Sequence, residues 1–216
     1  MIDKTRIGEA HIQWDSMGES KDIKDVYLIE NGIEKIVGTT TEVIKYLTLN
    51  GQQVIHREQV LTSDLLGDRK GITIVERNSF KPVSYSSYLD GKEVKCVYKG
   101  DYVQIRNNTQ EKSILLKDKH SFDSFSVEMI LRILPLKLEY ATSFNAFKTS
   151  IESEIKIQIQ VVGKEPIGKG ENICSESWKV KTYFGDTFQY YWISVESKKL
   201  IKQSSQIGEG LLLEFR

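Results

Sequence analysis

Ile151-Glu152-Ser153-Glu154-Ile155-Lys156-Ile157-Gln158-Ile159-Gln160-Val161 has a period of two. Ile151, Ser153, Ile155, Ile157, Ile159 and Val161 fall on one face, and Glu152, Glu154, Lys156, Gln158 and Gln160 on the other. Alternation at 180° per residue is the pattern of a half-buried strand with one wet face. Isoleucine and valine are stiff at χ1 and suit a pleated surface better than a helix. Around Val43 the pattern repeats less strictly, with Val43, Leu47 and Leu49 set against Ile44, Tyr46 and Thr48.

Working outward, turn dipeptides punctuate the chain. Asn31-Gly32, Asn50-Gly51 and Asp90-Gly91 each separate two strand-like runs, and Gly100-Asp101 and Gly185-Asp186 do so with glycine first. These residues accept the positive φ of tight hairpin turns, so the pattern predicts hairpins and an antiparallel meander. Strands are expected at 7–14, 23–30, 33–37, 40–49, 53–62, 71–77, 80–89, 93–99, 102–107, 111–117, 137–146, 151–163, 174–184, 187–196 and 199–204, with a last one near 210–216.

One segment departs from the alternation. After Ser121-Phe122-Asp123-Ser124 come Phe125, Val127, Met129, Ile130, Leu131, Ile133 and Leu134. Asp123 or Ser124 can cap a helix start, Glu128 favours its positive end, and Pro135 stops it. A helix of about ten residues, apolar nearly all round, is a buried helix and too short to persist in water alone. Open sheets seldom pass about ten strands without curling or splitting. The expected fold is therefore mainly β: a strongly curved antiparallel meander sheet, a half-barrel or open barrel, wrapping one short buried helix. Residues 1–216 are expected to form a single all-β domain, with two sub-sheets, before and after the helix near 123–134, as the open alternative.

The totals bound the function. The chain has 216 residues, with 30 Lys plus Arg against 30 Asp plus Glu, so its formal charge is zero. Hydrophobic residues make up 39% and charged residues 28%, a globular composition. Nucleic-acid binding needs clustered cations, but here both signs are interleaved, so no nucleic-acid partner is expected. No apolar run approaches 18 residues, so no transmembrane segment is expected. The start, Met1-Ile2-Asp3-Lys4-Thr5-Arg6, lacks the apolar stretch of a signal peptide. The chain as written reads as cytoplasmic, with the mature form of an exported protein as the alternative.

Catalytic and metal motifs are missing. His11, His56 and His120 have no metal-ligand spacing, and no Gly-x-Ser-x-Gly elbow occurs. Cys96 and Cys174 read as free thiols, though sequence leaves open whether they pair. Gly163-Lys164-Glu165-Pro166-Ile167-Gly168-Lys169-Gly170 has the glycine and lysine spacing of a phosphate loop, but Gly170 stands where a hydroxyl residue is needed. It is expected to be a connecting loop. Glu152 and Glu154 are expected on a solvated strand face. No enzyme activity, cofactor or metal is expected.

Several residues carry a family likeness. Arg77-Asn78-Ser79-Phe80-Lys81-Pro82-Val83-Ser84-Tyr85 precedes Val94-Lys95-Cys96-Val97-Tyr98 and Tyr102-Val103-Gln104-Ile105. Phe122-Asp123 then opens the helix and Leu134-Pro135-Leu136 closes it. Tyr191-Trp192-Ile193 and Ser197-Lys198-Lys199-Leu200-Ile201-Lys202 follow. Over roughly residues 40–205 this order resembles a domain-of-unknown-function family of secreted or periplasmic proteins. Its members are similar to the half-barrels of bacterial lipoprotein-localisation factors of the LolA/LolB type. The resemblance implies a curved sheet with a helix against its concave face, and proteins of that shape hold acyl chains there.

The aromatic residues give the candidate site. Trp178, Tyr183, Phe184, Phe188, Tyr190, Tyr191 and Trp192 crowd one hairpin, with Phe188, Tyr190 and Trp192 on one face and Tyr191, Ile193 and Val195 on the other. Rings of this kind can line an apolar pocket or pack as core. Phe125, Met129 and Ile133 of the helix carry the same two readings. The candidate ligand-binding residues are Phe125, Met129, Ile133, Trp178, Tyr190 and Trp192. The expected function is a non-enzymatic module holding a lipid, acyl chain or hydrophobic peptide in the concave face. The alternative is a structural or protein-interaction domain with a self-filled core and no small-molecule ligand. Oligomeric state is not readable from these residues.

Overall fold

Asn31 and Asn50 adopt φ of 49° and 51°, and the glycines that follow them 83° and 80°. Both dihedrals positive define the tight turn whose twist matches that of the flanking strands. Gly91, Gly100 and Gly185 likewise have positive φ. The turns join β1 (Ser20–Glu30), β2 (Ile33–Leu49), β3 (Gln52–Thr62), β4 (Arg69–Glu76), β5 (Pro82–Leu89), β6 (Lys92–Lys99), β7 (Tyr102–Asn107) and β8 (Glu111–Leu115). A short strand β9 (Phe122–Asp123) and the helical segment follow. Then come β10 (Ala141–Lys148), β11 (Ser153–Lys169), β12 (Asn172–Phe184), β13 (Thr187–Ser194), β14 (Leu200–Gly208) and β15 (Leu211–Phe215). The computed structural model describes Ile12 and residues 17–89, 91–107, 109–169 and 172–216, without the side chains of 168–169 and 172–175.

All fifteen described strands belong to one sheet, in the order β8-β7-β6-β5-β4-β3-β2-β1-β15-β14-β13-β12-β11-β10-β9. The two meanders are thus one continuous sheet joined at β1 and β15, where Val26 lies opposite Phe215 and Glu30 opposite Leu211. Every pairing is antiparallel except the two-residue parallel contact of β9 with β10. Residues 33–49, expected as two strands, form one. Its register slips so that Val26 faces Gly38 and Tyr27 faces Ile36. A side chain at Gly38 would run into the Thr62 carbonyl and Ser63, so the bulge needs glycine there. Residues 163–169, expected as a loop, lie in β11, with register shifts at Val161/Gly163 and Ile167/Gly168 absorbing the glycines. The strand expected at 7–14 lies outside the described residues apart from Ile12.

The two ends of the sheet overlap. Across each antiparallel pair, residues opposite one another share a face. Tyr85, Cys96 and Ile105 are opposite in β5–β7, and Tyr85 is opposite Thr73 and so continues the face of Arg57. That inner face packs Tyr85, Cys96, Val103, Ile105 and Leu116 against Phe147. Phe147, opposite Glu154, belongs to the outer face of β10–β11, because its neighbour Ala146 faces the main core with Ile155 and Ile157. The sheet therefore coils like a scroll, with its β5–β7 end lying over the outside of β10. Polar contacts fix the overlap. The Tyr98 hydroxyl donates to Asp123 Oδ2 at 2.5 Å, Cys96 Sγ lies 3.4 Å from Thr149 Oγ1, and Asn145 Nδ2 donates to Asp118 Oδ2 at 2.9 Å. Glu154, expected on a solvated face, instead accepts from the backbone N–H groups of Lys117 and Asp118 and from Ser121 Oγ. Glu152 pairs with Lys112 across the same seam.

Inside the coil lies the helical segment. Ser124–Ser126 form one 3-10 turn and Val127–Ile133 the helix α1. Asp123 caps the start, accepting from Phe125 N at 2.7 Å. Met129, Ile130, Leu131 and Ile133 are buried with Ile44, Ile55, Val75, Ile157, Ile159, Val180, Tyr191 and Ile193. Each fully buried large side chain contributes roughly 1.5–3 kcal/mol, which is what holds so short a helix. Replacing Met129, which is completely buried, by alanine is expected to cost about 2–5 kcal/mol in urea unfolding. A loss below ~1 kcal/mol would mean that the helix does not fill the coil.

Candidate functional site

The helix is not apolar all round. Glu128 and Arg132, one turn apart, form a polar stripe that meets charges on the inner faces of β1–β3. Arg57 Nε donates to Glu42 Oε2 at 2.5 Å and Arg57 Nη1 to the Phe125 carbonyl at 2.9 Å. Arg57 Nη2 meets the Glu128 carboxylate as an ion pair, without hydrogen-bond alignment. Arg132 Nη1 donates to Glu42 Oε1 at 3.1 Å and Arg132 Nε to the Lys198 carbonyl at 3.2 Å. Burial would raise the Glu42 carboxyl, but Arg57 and Arg132 outweigh it and hold the group below its usual range. Burial pushes the Lys24 amine beside them down to about 8, against the pull of Glu42.

This group of charges is closed. Glu42 is shared by two guanidiniums, and Lys24 is paired with Asp22. The space left among Ser20, Asp22, Glu42, Arg132, Lys199 and Leu200 is about 10 Å³, room for a single water. The cluster therefore serves to fix the helix on the sheet. A larger recess, about 360 Å³, opens to solvent at the ends of β3, β4 and β5, between Val60, Leu61, Lys70 and Tyr88, and none of the six candidate residues lines it.

Those six residues do not converge. Met129 and Ile133 are fully buried in the core, and Trp178 packs half-buried against it. Phe125 is 40% exposed and stacks on Tyr85, with ring centres 4.1 Å apart. Tyr190 and Trp192 are on the other side of the sheet. Val180 and Tyr191, opposite each other, face the core, so Lys179, Lys181, Tyr190 and Trp192 point outward. Alternation had separated Tyr190 and Trp192 from Tyr191 and Ile193, but the apolar face that turned inward is the second one. A single concave site built from all six residues is therefore corrected to two separate groups.

On the outer face Tyr183, Phe188, Tyr190 and Trp192 form a row, with successive ring centres 5.9, 5.5 and 6.2 Å apart. Lysines lie over it. Lys181 Nζ is 4.1 Å from the centre of the Phe188 ring, Lys202 Nζ 4.7 Å from Trp192, and Lys179 Nζ 5.3 Å from Trp192. Glu165 accepts from Trp192 Nε1 at 2.8 Å and from Lys179 at 2.9 Å. Lysine stems shield the rings while their ammonium groups stay wet, so the row is covered by its own neighbours.

His56 is half-buried on β3 between Lys45 and Ile74, and His120 is exposed; His11 lies outside the described residues. Among the described residues no three His, Cys, Asp or Glu side chains gather to hold a metal. Cys96 is a buried free thiol, and burial pushes it up to about 11, which suppresses the reactive thiolate. The Cys174 side chain is outside the described set. No described helix is long and apolar enough to cross a membrane.

A family model described as a protein of unknown function, DUF3108, matches residues 25–215. The chain belongs to that family. The match runs from within β1 to the end of β15, so the DUF3108 region comprises the whole scroll and its helix. Among solved structures, this DUF3108 chain is similar to a β-barrel-like protein of domain of unknown function DUF1849 from Brucella abortus. The two are 11% identical over 92% of this chain and 94% of that one, with a TM-score of 0.59. At that identity the likeness is one of fold. No curated protein matches the chain. What stands from the family expectation is an uncharacterised domain with a β-barrel-like fold.

Sequence reasoning missed the Glu42–Arg57–Glu128–Arg132 group, because its members are brought together from β2, β3 and α1 by the coil. Replacing Arg57 by methionine keeps much of the volume but leaves Glu128 without its cation and Glu42 with Arg132 alone. A loss of about 3–5 kcal/mol is expected in denaturant unfolding at neutral pH. A loss under ~1 kcal/mol would show that the ion group does not anchor the helix.

Proposed function

We propose that this DUF3108 protein is a non-enzymatic interaction domain that works through its outer surface and carries no small-molecule ligand in its concavity. The observation behind this reading is the interior. Met129, Ile130 and Leu131 have no exposure, Ile133 has 1%, and the charges at the edge of the helix are paired with one another. An acyl chain binds by removing apolar area from water at about 25 cal/mol per Å². Here the helix has already removed that area. The acyl-carrier reading, drawn from the likeness to lipoprotein-localisation half-barrels, requires the helix to leave the coil. That exit would expose the core faces of both helix and sheet and break the ion group at Arg57.

The experiment uses protein labelled with ¹³C at the methionine methyl groups, with Met129 assigned by Met129→Leu, titrated with decanoate as a monomeric acyl probe. The Met129 signal is expected to stay in place, and native mass spectra to show no stoichiometric adduct. A saturable shift of Met129 with one bound decanoate would replace this reading with the carrier one.

A further inference from the structure

We propose that the overlap of the β5–β7 end of the sheet on β9–β10 is a pH-sensitive latch that loosens when Asp123 gives up its proton. Asp123 is completely buried between the two layers. One oxygen accepts the Tyr98 hydroxyl from β6, the other the Phe125 N–H at the start of the helical segment. The same carboxyl therefore ties the overlying layer to the cap of the helix.

The groups that face it are neutral. From β6 come the Tyr98 hydroxyl and the Cys96 thiol, and from β5 the Tyr85 hydroxyl. Glu152 lies beyond Cys96. Arg57 reaches the Phe125 carbonyl, but it is committed to Glu42 and Glu128. Among the described residues no ion pair reaches Asp123. Its partner on β10 is Phe147, opposite it, and Thr149, in the turn after β10, binds Cys96. A charge at this place is met by two hydrogen bonds and an apolar wall, and opening the overlap gives it water.

Burial raises the Asp123 carboxyl from 3.8 to about 6, against the pull of Tyr98 and of the Phe125 N–H. The closed overlap thus holds the proton more tightly than the open one. Protonation favours closure, and opening grows as pH rises from about 4 to about 6, then levels off. Between pH 5 and pH 7.5 linkage gives about a tenfold rise in the open population.

The test is amide hydrogen exchange at pH 5 and 7.5, corrected for intrinsic rates, on the full chain. Amides of β6, β7 and β9 are expected to exchange from a population about tenfold larger at pH 7.5, with β1–β3 unchanged, and the difference is expected to vanish in Asp123→Asn. No pH difference at the overlap, the same difference in D123N, or an equal change over the whole sheet would overturn the proposal. A second variant covers the case in which D123N fails to fold. Tyr98→Phe removes a donor to the carboxylate, so the ¹³C carboxyl titration of Asp123 is expected to move to higher pH than in the unsubstituted protein. An unmoved midpoint would contradict the latch.

Discussion

Six residues, Leu116 to Ser121, connect one end of the fifteen described strands of the sheet to the other. From Leu115 to Phe122 the chain can reach at most about 25 Å. The strands at those two ends, β8 and β9, are separated by every other strand in the ladder. A flat sheet of this width, at about 4.8 Å per strand, would place them more than twice that far apart. The connection leaves no choice but to coil the sheet, and the hand and degree of coil follow from strand twist and bulges. Once coiled, the sheet has an inside, and the residues next along the chain are the helical segment that fills it. The short connection and the plug are one device, placed end to end in the sequence.

The coil also explains where polar groups are buried. A scroll that overlaps itself has a seam whose outer layer covers what was the wet side of β10. Glu154 takes its partners from the connection itself, and Asp123 takes one from the overlying layer and one from the start of the helical segment. The Glu42–Arg57–Glu128–Arg132 group plays a comparable part on the inside, orienting the helix against β2 and β3. Removing one partner of such a group costs far more than the group contributes as a whole, so these charges are better read as fixing one packing than as adding stability. The outer row of rings is handled differently: it stays on the surface, covered by lysine stems.

Much of this was legible in the chain. The alternation over Ser153–Val161 and the Asn-Gly turns at 31–32 and 50–51 specify strands and hairpins by local chemistry alone, and the structure has them there; Ile151 and Glu152, expected in the same strand, lie in the turn before it, with Ile151 56% exposed. The helical segment was legible because Asp123, Glu128 and Pro135 mark its ends. What local pattern does not carry is the identity of whatever covers each face. Alternation put Glu154 and the residues beside it on a polar face, which is right, but a second layer lies over one edge of that face. It put Tyr190 and Trp192 together, but could not say that Tyr191 and Ile193 would be the pair turned inward. Arg57 read as a strand residue beside His56, and its partners Glu42 and Glu128 come from other elements. Gly163 and Gly168 looked like a loop because glycine marks both turns and bulges, and only register distinguishes them.

The coil with its overlapped seam is the claim on which the rest stands, and a cross-link measures it directly. In a Cys174→Ser background, Thr149→Cys would bring a second thiol against Cys96, since Cys96 Sγ lies 3.4 Å from Thr149 Oγ1 across the two layers. Because burial suppresses the Cys96 thiolate, the reduced protein is refolded in an oxidising glutathione buffer, and a monomeric product about 2 Da lighter is expected, with a disulfide mapped between Cys96 and the introduced thiol. If both thiols remain free after refolding in that buffer, in which Cys96 starts out exposed, β6 does not lie over β10, and the coiled arrangement is wrong.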